Sequence, residues 1–336
     1  MKKIIPFLLT FIMIMLVIPM ISIIGKKTPP SPSAQQLHGQ EVIYYKVLNH
    51  KTDEVMSLTP QQYIRGVVAA EMPISFHMEA LKAQAVAAHT YALRQIDSEL
   101  TNPTPELMGA ILTTDFTKNQ AFISDDELKE RWGKSYDVNS QKLDEAVSSV
   151  INEIITYDDK PIIAAFHSIS SGVTESAKTI WGKDVSYLVP VESQGDELSP
   201  NYEAKTMLTP KEVENALLQK YPDIKLDQDK AKWFQIISRS DSNTITEMTA
   251  GSIQCTGKDI RELLKLKSAN FTVNFVNGSF EFTTNGYGHG VGMSQYGADY
   301  LARQGKTYNE ILTHYYKGVS IQPISEEQPQ DDGEKV

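Results

Sequence analysis

One glutamate, Glu71, lies on the apolar face of a predicted helix, in a setting that suits acid–base chemistry. The face is formed by residues spaced i, i+3, i+4 and i+7, namely Ile64, Val67, Val68 and Glu71. Burial there and the partial negative charge at the C-terminal end of a helix both raise the pKa of a carboxyl group. A carboxylic acid that stays protonated near neutral pH can donate a proton to the leaving oxygen of a glycosidic bond. The pattern alone leaves open a structural alternative, in which Glu71 pairs with a lysine such as Lys82.

The helix that carries Glu71 has clear start and stop signals. Thr59 suits the N-cap, Pro60 suits the first helical position, and Gln62 can complete a capping box. Pro73 disfavours helical backbone in the residue before it, so this helix is predicted to end at about Glu71.

A second, alanine-rich helix is predicted over residues 78–97, and its small side chains would let another segment pack closely. Lys82 and His89 lie seven residues apart on one face of this helix and are candidate contacts for a substrate. The alternatives are a lysine that extends to the surface and a histidine of the core or its rim. Glu79 also lies here, but no sequence feature orients its carboxyl group.

A predicted strand–turn–strand unit delivers a run of polar residues next to a glycine. Residues 154–157 and 162–168 are the predicted strands, and residues 158–161 are the turn. The second strand leads into the polar run, which is His167, Ser168, Ser170 and Ser171 before Gly172. Small hydroxyl residues beside a glycine suit the binding of sugar hydroxyls, although they can instead bond their own backbone. Trp181 and Tyr187 follow, and they could stack on sugar rings or belong to the core.

Residues 285–298 contain four glycines at alternating positions, which let the backbone approach a ligand or another segment very closely. The spacing fits neither a dinucleotide fingerprint nor a phosphate-binding loop. His289 lies between Gly288 and Gly290 and is the histidine whose setting best suits a function. Ser294 can cap the helix that follows. The alternative is a tight packing turn in which His289 bonds the backbone.

The N-terminal residues predict a membrane anchor. Residues 4–24 are nearly all apolar, and their length matches a hydrocarbon core of roughly 30 Å. This run is longer than the core of a signal peptide and has no good cleavage site, which favours a retained transmembrane helix within residues 1–27. Short basic N-termini usually stay cytoplasmic, so we predict a single-pass protein of the cell membrane whose catalytic domain lies outside the cytoplasm.

The rest of the chain predicts one α+β domain. Residues 28–40 are expected to be a linker, residues 41–322 the catalytic domain, and residues 323–336 a disordered acidic tail. Helix signals at both ends of the domain enclose strand signals, which indicates an α+β fold. The polar segments are far apart in sequence, so we expect a single composite, two-lobed domain in which they converge on a substrate cleft. Residues 101–135 are predicted to be a long irregular excursion.

Composition and charge limit the classes of function. The chain has 336 residues and a formal charge of −10 at pH 7. Its first 27 residues contain four lysines and no acidic residue, so residues 28–336 carry −14. This acidic body argues against a nucleic-acid partner and fits a neutral glycan better than a polyanionic wall polymer. The single cysteine, Cys255, permits no intrachain disulfide and no cysteine-rich zinc site.

Taken together, these segments resemble the stage II sporulation protein D family, also called the SpoIID/LytB domain family. The matching strings are residues 67–73, 79–85, 166–172 with 181–182, and 288–298, with a weaker match at 257–261. Their order and spacing extend over about residues 43–320, which is most of the chain outside the predicted anchor.

The resemblance implies a lytic transglycosylase that acts in engulfment during sporulation. Such an enzyme breaks the β-1,4 bond between MurNAc and GlcNAc in peptidoglycan, leaves a 1,6-anhydro-MurNAc end, and prefers glycan stripped of its stem peptides. The implied partners are the glycan strands, a SpoIIP-type amidase and a SpoIIM-type membrane protein. The family glutamate corresponds to Glu71. The family pattern has an arginine where this chain has His89, and a second glycine where it has Ser171.

We therefore predict that Glu71 is the catalytic acid and base. The predicted substrate contacts are Lys82, His89, His167, Ser168, Ser170, Ser171, Tyr187, His289, Gly290 and Ser294. No metal and no other cofactor is expected, because the chain lacks the extra cysteines with which some relatives hold zinc. Two alternatives stay open: a non-catalytic glycan-binding module that stimulates a partner amidase, and a metal-dependent amidase. The second would use histidines that show no paired spacing, namely His77, His89, His167 or His289.

Overall fold

The computed structural model describes residues 35–37 and 40–324 of the chain. The anchor predicted in residues 1–27 lies outside the described residues and stays a prediction, as does nearly all of the predicted tail. Within the described part, no helix is both long enough and apolar enough to cross a membrane.

The chain divides into two compact units after Tyr44. The first unit contains an antiparallel hairpin formed by β1 (Gln35–Leu37) and β2 (Gln40–Val42). The second unit begins at Tyr45 and carries every candidate site residue.

The second unit mixes α-helices with short β-strands. Its helices are, in chain order, α1 (Pro60–Glu71), α2 (Met78–Thr101), α3 (Asp125–Trp132), α4 (Tyr136–Ser148), α5 (Ala177–Trp181), α6 (Pro210–Lys220), α7 (Gly257–Leu264), α8 (Gln295–Arg303) and α9 (Tyr308–Tyr315). Its strands are β3 (Tyr45–Asn49), β4 (Glu54–Leu58), β5 (Leu112–Thr113), β6 (Glu153–Tyr157), β7 (Lys160–Pro161), β8 (Phe166–His167), β9 (Glu203–Leu208), β10 (Phe234–Arg239), β11 (Ile245–Ala250), β12 (Ile253–Cys255), β13 (Phe271–Val276), β14 (Ser279–Asn285), β15 (Met293–Ser294) and β16 (Ser320–Pro323). The strands form several small sheets, and the predicted α+β fold class is confirmed.

Local sequence signals set the ends of α1. A capping box joins Thr59 and Gln62 at its start, and Pro60 occupies its first turn. The helix ends where Met72 becomes extended before Pro73, with φ −119° and ψ 141°. The predicted ends of this helix are therefore confirmed. The same kind of capping box begins α6 and α9.

Two predicted elements differ from the structure. The strand predicted over residues 162–168 is wrong for most of its length, because only Phe166–His167 finds a pairing partner, the equally short β15. The irregular excursion predicted over residues 101–135 is also wrong in part. It contains β5 and α3, and α3 begins with a capping box formed by Ser124 and Glu127.

The alanine-rich helix α2 lies at the centre of the larger core. It ends at Thr101, beyond the predicted end at residue 97, because Pro103 is the first residue after it that blocks a helix. It packs against α1, α4, α8, α9 and β6. Its alanines are buried, namely Ala80, Ala83, Ala85, Ala87, Ala88 and Ala92. Small side chains therefore allow five elements to approach one helix.

The second unit has two large hydrophobic cores, besides a small cluster formed by Leu48, Leu107 and Ala110. One core is formed by residues within 45–191 and 291–321, which we call the first lobe. The other is formed by residues within 208–282, around Trp233 and Phe282, which we call the second lobe. The first lobe carries α1, α2, β8, β15 and α8. It therefore carries the three polar segments singled out in the sequence, which are, in chain order, residues 67–73 with Glu71, residues 166–172, and residues 288–298.

Candidate active site

Glu71 is the last residue of α1 and is half-buried. Its Oε2 atom accepts a hydrogen bond of 3.1 Å from Nε2 of Gln295, and the backbone of Ala121 also hydrogen bonds the carboxylate. Burial raises the pKa of Glu71, and this effect outweighs the two hydrogen bonds, which favour the charged form. The predicted position of Glu71 and the predicted direction of its pKa shift are confirmed.

Lys82 pairs with Glu79 rather than with Glu71. Its Nζ atom lies 2.9 Å from Oε1 of Glu79. The other carboxylate oxygen of Glu79 accepts a hydrogen bond from the backbone N–H of Tyr308, at the start of α9. The structural alternative for Glu71 is therefore wrong, and Glu79 is oriented by two partners that the sequence pattern did not show. The side chain of Lys82 keeps 21% of its surface exposed, so its role as a substrate contact stays a prediction.

The second and third polar segments meet in a short parallel sheet. β8 pairs with β15, which places His167 opposite Ser294. Gln295 follows Ser294 directly, and its side chain reaches Glu71 at the end of α1. The structure thus joins all three segments in the first lobe: the third segment pairs with the second through β15 and contacts Glu71 through Gln295.

Ser170 and Ser294 hold a buried carboxylate, that of Asp196. Oδ1 of Asp196 accepts a hydrogen bond of 2.7 Å from the Ser294 hydroxyl, and Oδ2 accepts one of 2.8 Å from the backbone N–H of Ser170. Burial raises the pKa of Asp196, although these hydrogen bonds oppose the shift. Both serines are buried. The structure therefore places their hydroxyl groups inside the first lobe, where they join β8, α8 and the loop of Asp196.

His89 and Tyr187 are placed by packing. His89 is only 2% exposed, its Nε2 atom lies 2.9 Å from the hydroxyl of Tyr45, and burial lowers its pKa to about 4. The Tyr187 hydroxyl accepts a hydrogen bond of 2.9 Å from the backbone N–H of Ile163. Its ring centroid lies 5.2 Å from that of Tyr157. The structure thus places His89 in the core, and the polar end of Tyr187 on the backbone rather than toward solvent.

The remaining predicted contacts differ in their surroundings. Ser168 is half-buried at the end of β8. Ser171 donates a hydrogen bond of 2.7 Å to the carbonyl of Ser242, which lies in the second lobe, so it joins the two lobes. Gly290 has a φ of +82°, and its carbonyl accepts a hydrogen bond of 2.7 Å from the backbone N–H of Glu175.

His289 lies in a cluster of rings. Its centroid is 5.7 Å from that of His167 and 5.7 Å from that of Trp181. Nδ1 of His289 accepts a hydrogen bond of 3.0 Å from the N–H of Val291, and Nδ1 of His167 lies 3.1 Å from the carbonyl of the same residue. Burial lowers the pKa of His289 to about 4 and that of His167 to about 3, so both rings are uncharged near neutral pH. The structure therefore brings the two predicted contacts, His167 and His289, together beside Trp181.

Within the part of the chain that the structure describes, no three His, Cys, Asp or Glu side chains are arranged to hold a metal ion. The four histidines considered for a metal-dependent amidase are divided among three places. His77 caps α2, His89 contacts Tyr45, and His167 pairs with His289. The observed geometry gives no support to that alternative.

Comparison with known proteins decides the family. A sequence model described as SpoIID, stage II sporulation protein, matches residues 48–157, which include α1 and α2. The chain is 38% identical over 278 residues to stage II sporulation protein D of Bacillus amyloliquefaciens, covering 82% of this chain and 77% of that protein. The chain belongs to the stage II sporulation protein D family. The resemblance seen in the motifs is thus confirmed, and the family gives the protein a role in sporulation.

Two further relatives of this SpoIID-family protein come from Bacillus subtilis (strain 168). Stage II sporulation protein D of that organism is 37% identical over 295 residues, covering 87% of this chain and 82% of the relative. A protein named amidase enhancer is 26% identical to this chain over 311 residues. The match covers 77% of this chain but only 40% of the amidase enhancer. The sequence of this chain is therefore more similar to the two stage II sporulation D proteins than to the amidase enhancer.

Two residues of the site in this SpoIID-family protein were not predicted from the sequence. Gln295 lies inside a matching string, but its position after the N-cap of α8 gave no sign that it would contact Glu71. Asp196 lies outside every string, in a short 3-10 helix after Gly195. Only the folded arrangement shows that Gln295 bonds the carboxylate of Glu71 and that Asp196 joins Ser170 and Ser294.

We expect the substitution Gln295→Met to raise the pKa of Glu71 further. The amide of Gln295 donates to the carboxylate and so favours the charged form, and methionine of similar length cannot donate. The measurement is a carbon NMR titration of labelled glutamate, with the Glu71 signal assigned from its loss in Glu71→Gln. Gln304→Met, at the other end of α8, is the matched control and should leave that titration unchanged. An unchanged or lower pKa in Gln295→Met would show that this hydrogen bond does not act on Glu71.

Proposed function

We propose that this protein is a lytic transglycosylase of peptidoglycan. It cleaves the β-1,4 bond between MurNAc and GlcNAc, preferably in peptide-stripped glycan strands, and leaves 1,6-anhydro-MurNAc ends during engulfment. One observation carries the proposal: a half-buried glutamate of raised pKa, Glu71, lies where the three polar segments converge. Family membership supports the setting in sporulation.

The first chemical step uses Glu71 as a general acid. Its protonated carboxyl group donates to the glycosidic oxygen as the bond to the MurNAc anomeric carbon breaks, and oxocarbenium-like charge develops there. The hydrogen bond from Gln295 steadies the carboxylate that forms. The raised pKa of Glu71 supplies the protonated form at higher pH than an ordinary glutamate would.

The second step uses the same group as a base. Carboxylate Glu71 takes the proton of the C6 hydroxyl of the same MurNAc, and that oxygen attacks the anomeric carbon. The new C–O bond closes the 1,6-anhydro ring, and the proton from the C6 hydroxyl restores the carboxyl group, while the proton given in the first step stays on the O4 hydroxyl of the departing GlcNAc. One carboxyl group therefore serves both steps, and water is not consumed.

The bonding of two other carboxylates in the second unit, those of Glu79 and Asp196, favours this one-carboxylate reaction over hydrolysis. A retaining or inverting glycosidase needs a second carboxylate roughly 5–9.5 Å from the first, free to act on the sugar or on water. Glu79 is engaged by Lys82 and the start of α9. Asp196 is fully buried and held by hydrogen bonds. Neither group is placed to act as a nucleophile or as a base toward water.

The mass of the products tests the reaction. We expect the full chain, incubated with peptide-free glycan strands, to release fragments that are lighter by one water than hydrolytic fragments. The reason is that the C6 hydroxyl replaces water as the attacking group. Mass spectrometry of the fragments, before and after borohydride reduction, distinguishes an anhydro end from a reducing end. Fragments with reducing MurNAc ends would instead identify a hydrolase.

A second candidate is a non-catalytic glycan-binding module that stimulates a cell-wall amidase. It is favoured by the similarity to the protein named amidase enhancer. In that case the chain alone would release no glycan fragments but would raise the rate of a purified SpoIIP-type amidase on intact peptidoglycan. Glu71→Gln would then stimulate the amidase as well as the unaltered chain does.

Location and partners follow from the proposed substrate. Peptidoglycan lies outside the cytoplasmic membrane, so we propose attachment through residues 4–24 with the catalytic domain on the outer side. A SpoIIP-type amidase, which removes stem peptides, would prepare the preferred substrate. A SpoIIM-type membrane protein is the proposed third component. No role for nucleic acid is proposed, because residues 28–336 carry −14.

A further inference from the structure

We propose that Lys142 is a positioning residue for the carboxyl group of Glu71. It acts through residues 72–77, which join α1 to α2 and which we call the connecting loop. It holds this loop in the place where α8 can supply Gln295 to the carboxyl group. The proposal rests on the proposed function, since it names a residue that serves the same acid–base chemistry without touching the substrate.

The ammonium group of Lys142 bonds the backbone of the connecting loop. Lys142 lies on α4, and its Nζ atom donates hydrogen bonds of 2.8 Å to the carbonyl of Ile74 and of 2.6 Å to the carbonyl of Phe76. Hydrogen bonds from a charged donor are shorter and stronger than those between neutral groups. Two carbonyls of the loop are thereby directed to one point, which fixes the backbone that follows Glu71.

Helix α8 holds the same loop through a second pair of side chains. Oδ1 of Asp299 accepts a hydrogen bond of 2.6 Å from the N–H of His77, and Nη2 of Arg303 donates one of 3.1 Å to the carbonyl of Ser75. Asp299 and Arg303 are themselves joined by an ion pair of 2.8 Å. The connecting loop is therefore held between α4 and α8 by hydrogen bonds to its main chain.

The contact between Glu71 and Gln295 depends on this docking. Gln295 and Tyr296 are the first two residues of α8. The ring of Tyr296 packs edge-on against that of Phe76, with 5.0 Å between centroids, while Nε2 of Gln295 lies 3.1 Å from Oε2 of Glu71. Adjacent residues of one helix thus contact the loop and the carboxyl group, so a shift of the loop along α8 moves Glu71 relative to its donor.

The position of Lys142 is electrostatically unfavourable, which argues for a role beyond stability. Its side chain is half-buried, and burial, followed by the charge of Arg303, lowers the pKa of Lys142, although Asp299 opposes the shift. Two cations therefore meet at one short loop. An apolar side chain could pack there without burying a charge. Groups that cost stability in this way are expected where function needs a fixed geometry.

Cleavage kinetics of Lys142→Met test the role. Methionine has a similar length but cannot donate to the two carbonyls. We expect kcat on peptide-free glycan strands to fall about 10- to 100-fold with KM within about twofold, because a misplacement of 1 Å can cost about 10²-fold in rate. Lys142→Arg still presents several donors and should recover most of the lost rate. Lys134→Met, an exposed residue just before α4, is the matched control and should cleave at the wild-type rate.

Combination with Glu71→Gln separates positioning from a general loss of structure or of substrate binding. A residue that acts through the carboxyl group of Glu71 adds nothing once that group can no longer transfer a proton. We therefore expect Glu71→Gln and the double variant with Lys142→Met to cleave at the same residual rate. A further loss in the double variant, as large as that caused by Lys142→Met alone, would overturn the proposal.

A nuclear magnetic resonance signal of Gln295 tests the positioning without any cleavage. Ionisation of Glu71 shifts the side-chain amide signals of Gln295, which are assigned from their loss in Gln295→Met, because this amide donates to the carboxylate. In Lys142→Met we expect the pH-dependent shift to fall by about half or more, since hydrogen bonds weaken steeply with distance and angle. Lys142→Arg and Lys134→Met should retain it. An unchanged shift in folded Lys142→Met would overturn the proposal.

Arg303→Met keeps the test valid if Lys142→Met does not fold. The side chain of Arg303 is 53% exposed and gives the loop one hydrogen bond, so we expect changes of the same direction but smaller size in kcat and in the Gln295 shift. Wild-type kinetics and an unchanged shift in this variant would then overturn the proposal. A wild-type chain that releases no fragments would refute the proposed reaction, whereas the Gln295 signal would still show whether Lys142 places the carboxyl group of Glu71.

Discussion

Replacing Glu71 by glutamine is expected to lower the rate of glycan cleavage by about 10²- to 10⁴-fold, the usual contribution of a positioned acid or base. Glutamine keeps the shape of the side chain and can still accept the hydrogen bond from Gln295. It cannot donate a proton to the glycosidic oxygen or take one from the C6 hydroxyl. Both proposed steps therefore fail together, and neither Glu79 nor Asp196, each held by other partners, is free to replace the lost group.

The measurement is the initial rate of fragment release from peptide-free glycan strands, with thermal unfolding followed in parallel. Glu212→Gln is the matched control, because Glu212 completes the capping box of α6 on the surface of the second lobe. A glutamine can complete such a capping box as well, as Gln62 does at the start of α1. We expect the control to cleave at the wild-type rate. Cleavage by Glu71→Gln within threefold or so of wild type would remove Glu71 from the chemistry, since a positioned acid contributes about 10²-fold or more.

The predictions that succeeded depend on interactions between residues close together in the chain. The capping box of α1 joins residues three positions apart, and Pro73 ends that helix through the residue next to it. Burial of Glu71 follows from helix periodicity, which is also local. The raised pKa then follows from burial, so the sequence could predict both the place of the acid and the direction of its shift.

The features that the sequence missed or overestimated depend on partners far away in the chain. Gln295 and Glu71 are 224 positions apart, and no local pattern links an amide after an N-cap to the end of another helix. The strand predicted over residues 162–168 has the right composition, but β15 offers only two residues to pair with it. Strand length is set by the partner, so composition alone overestimates it.

The serines show the same limit for the site. Ser170, Ser171 and Ser294 were predicted from their polarity to contact sugar, and polarity does indicate that hydroxyl groups are needed there. It does not indicate the partner. In the structure Ser170 and Ser294 bind around Asp196, and Ser171 binds a carbonyl of the second lobe. Their proposed contacts with glycan stay untested, while their contribution to holding the converging segments together is visible.

The second large effect is expected at Gly292, where β15 meets β8. Gly292 has a φ of +75°, a conformation that costs an L-residue about 1–2 kcal/mol. A Cβ atom there would also overlap the carbonyl oxygen of Ala165, whose carbonyl carbon would lie 2.9 Å away. That oxygen accepts the N–H of Met293 at 3.0 Å, so it cannot withdraw without loss of a β8–β15 contact. Overpacking adds about 1–3 kcal/mol, and Gly292→Ala should therefore destabilise the first lobe by about 2–5 kcal/mol.

Gly305→Ala separates the two causes. Gly305 has a φ of +88°, but a Cβ atom built on it meets nothing within 4 Å, so only the conformational cost of about 1–2 kcal/mol applies. Urea unfolding followed by tryptophan fluorescence gives both values, and equal costs would show that the Ala165 backbone yields without penalty. Gly292→Ala should in addition slow glycan cleavage beyond its effect on stability, because a shift of β15 moves Gln295 away from Glu71. The close approach of Gly292 to the backbone of Ala165 therefore affects both stability and catalysis, because β15 positions Gln295, the hydrogen-bond partner of Glu71.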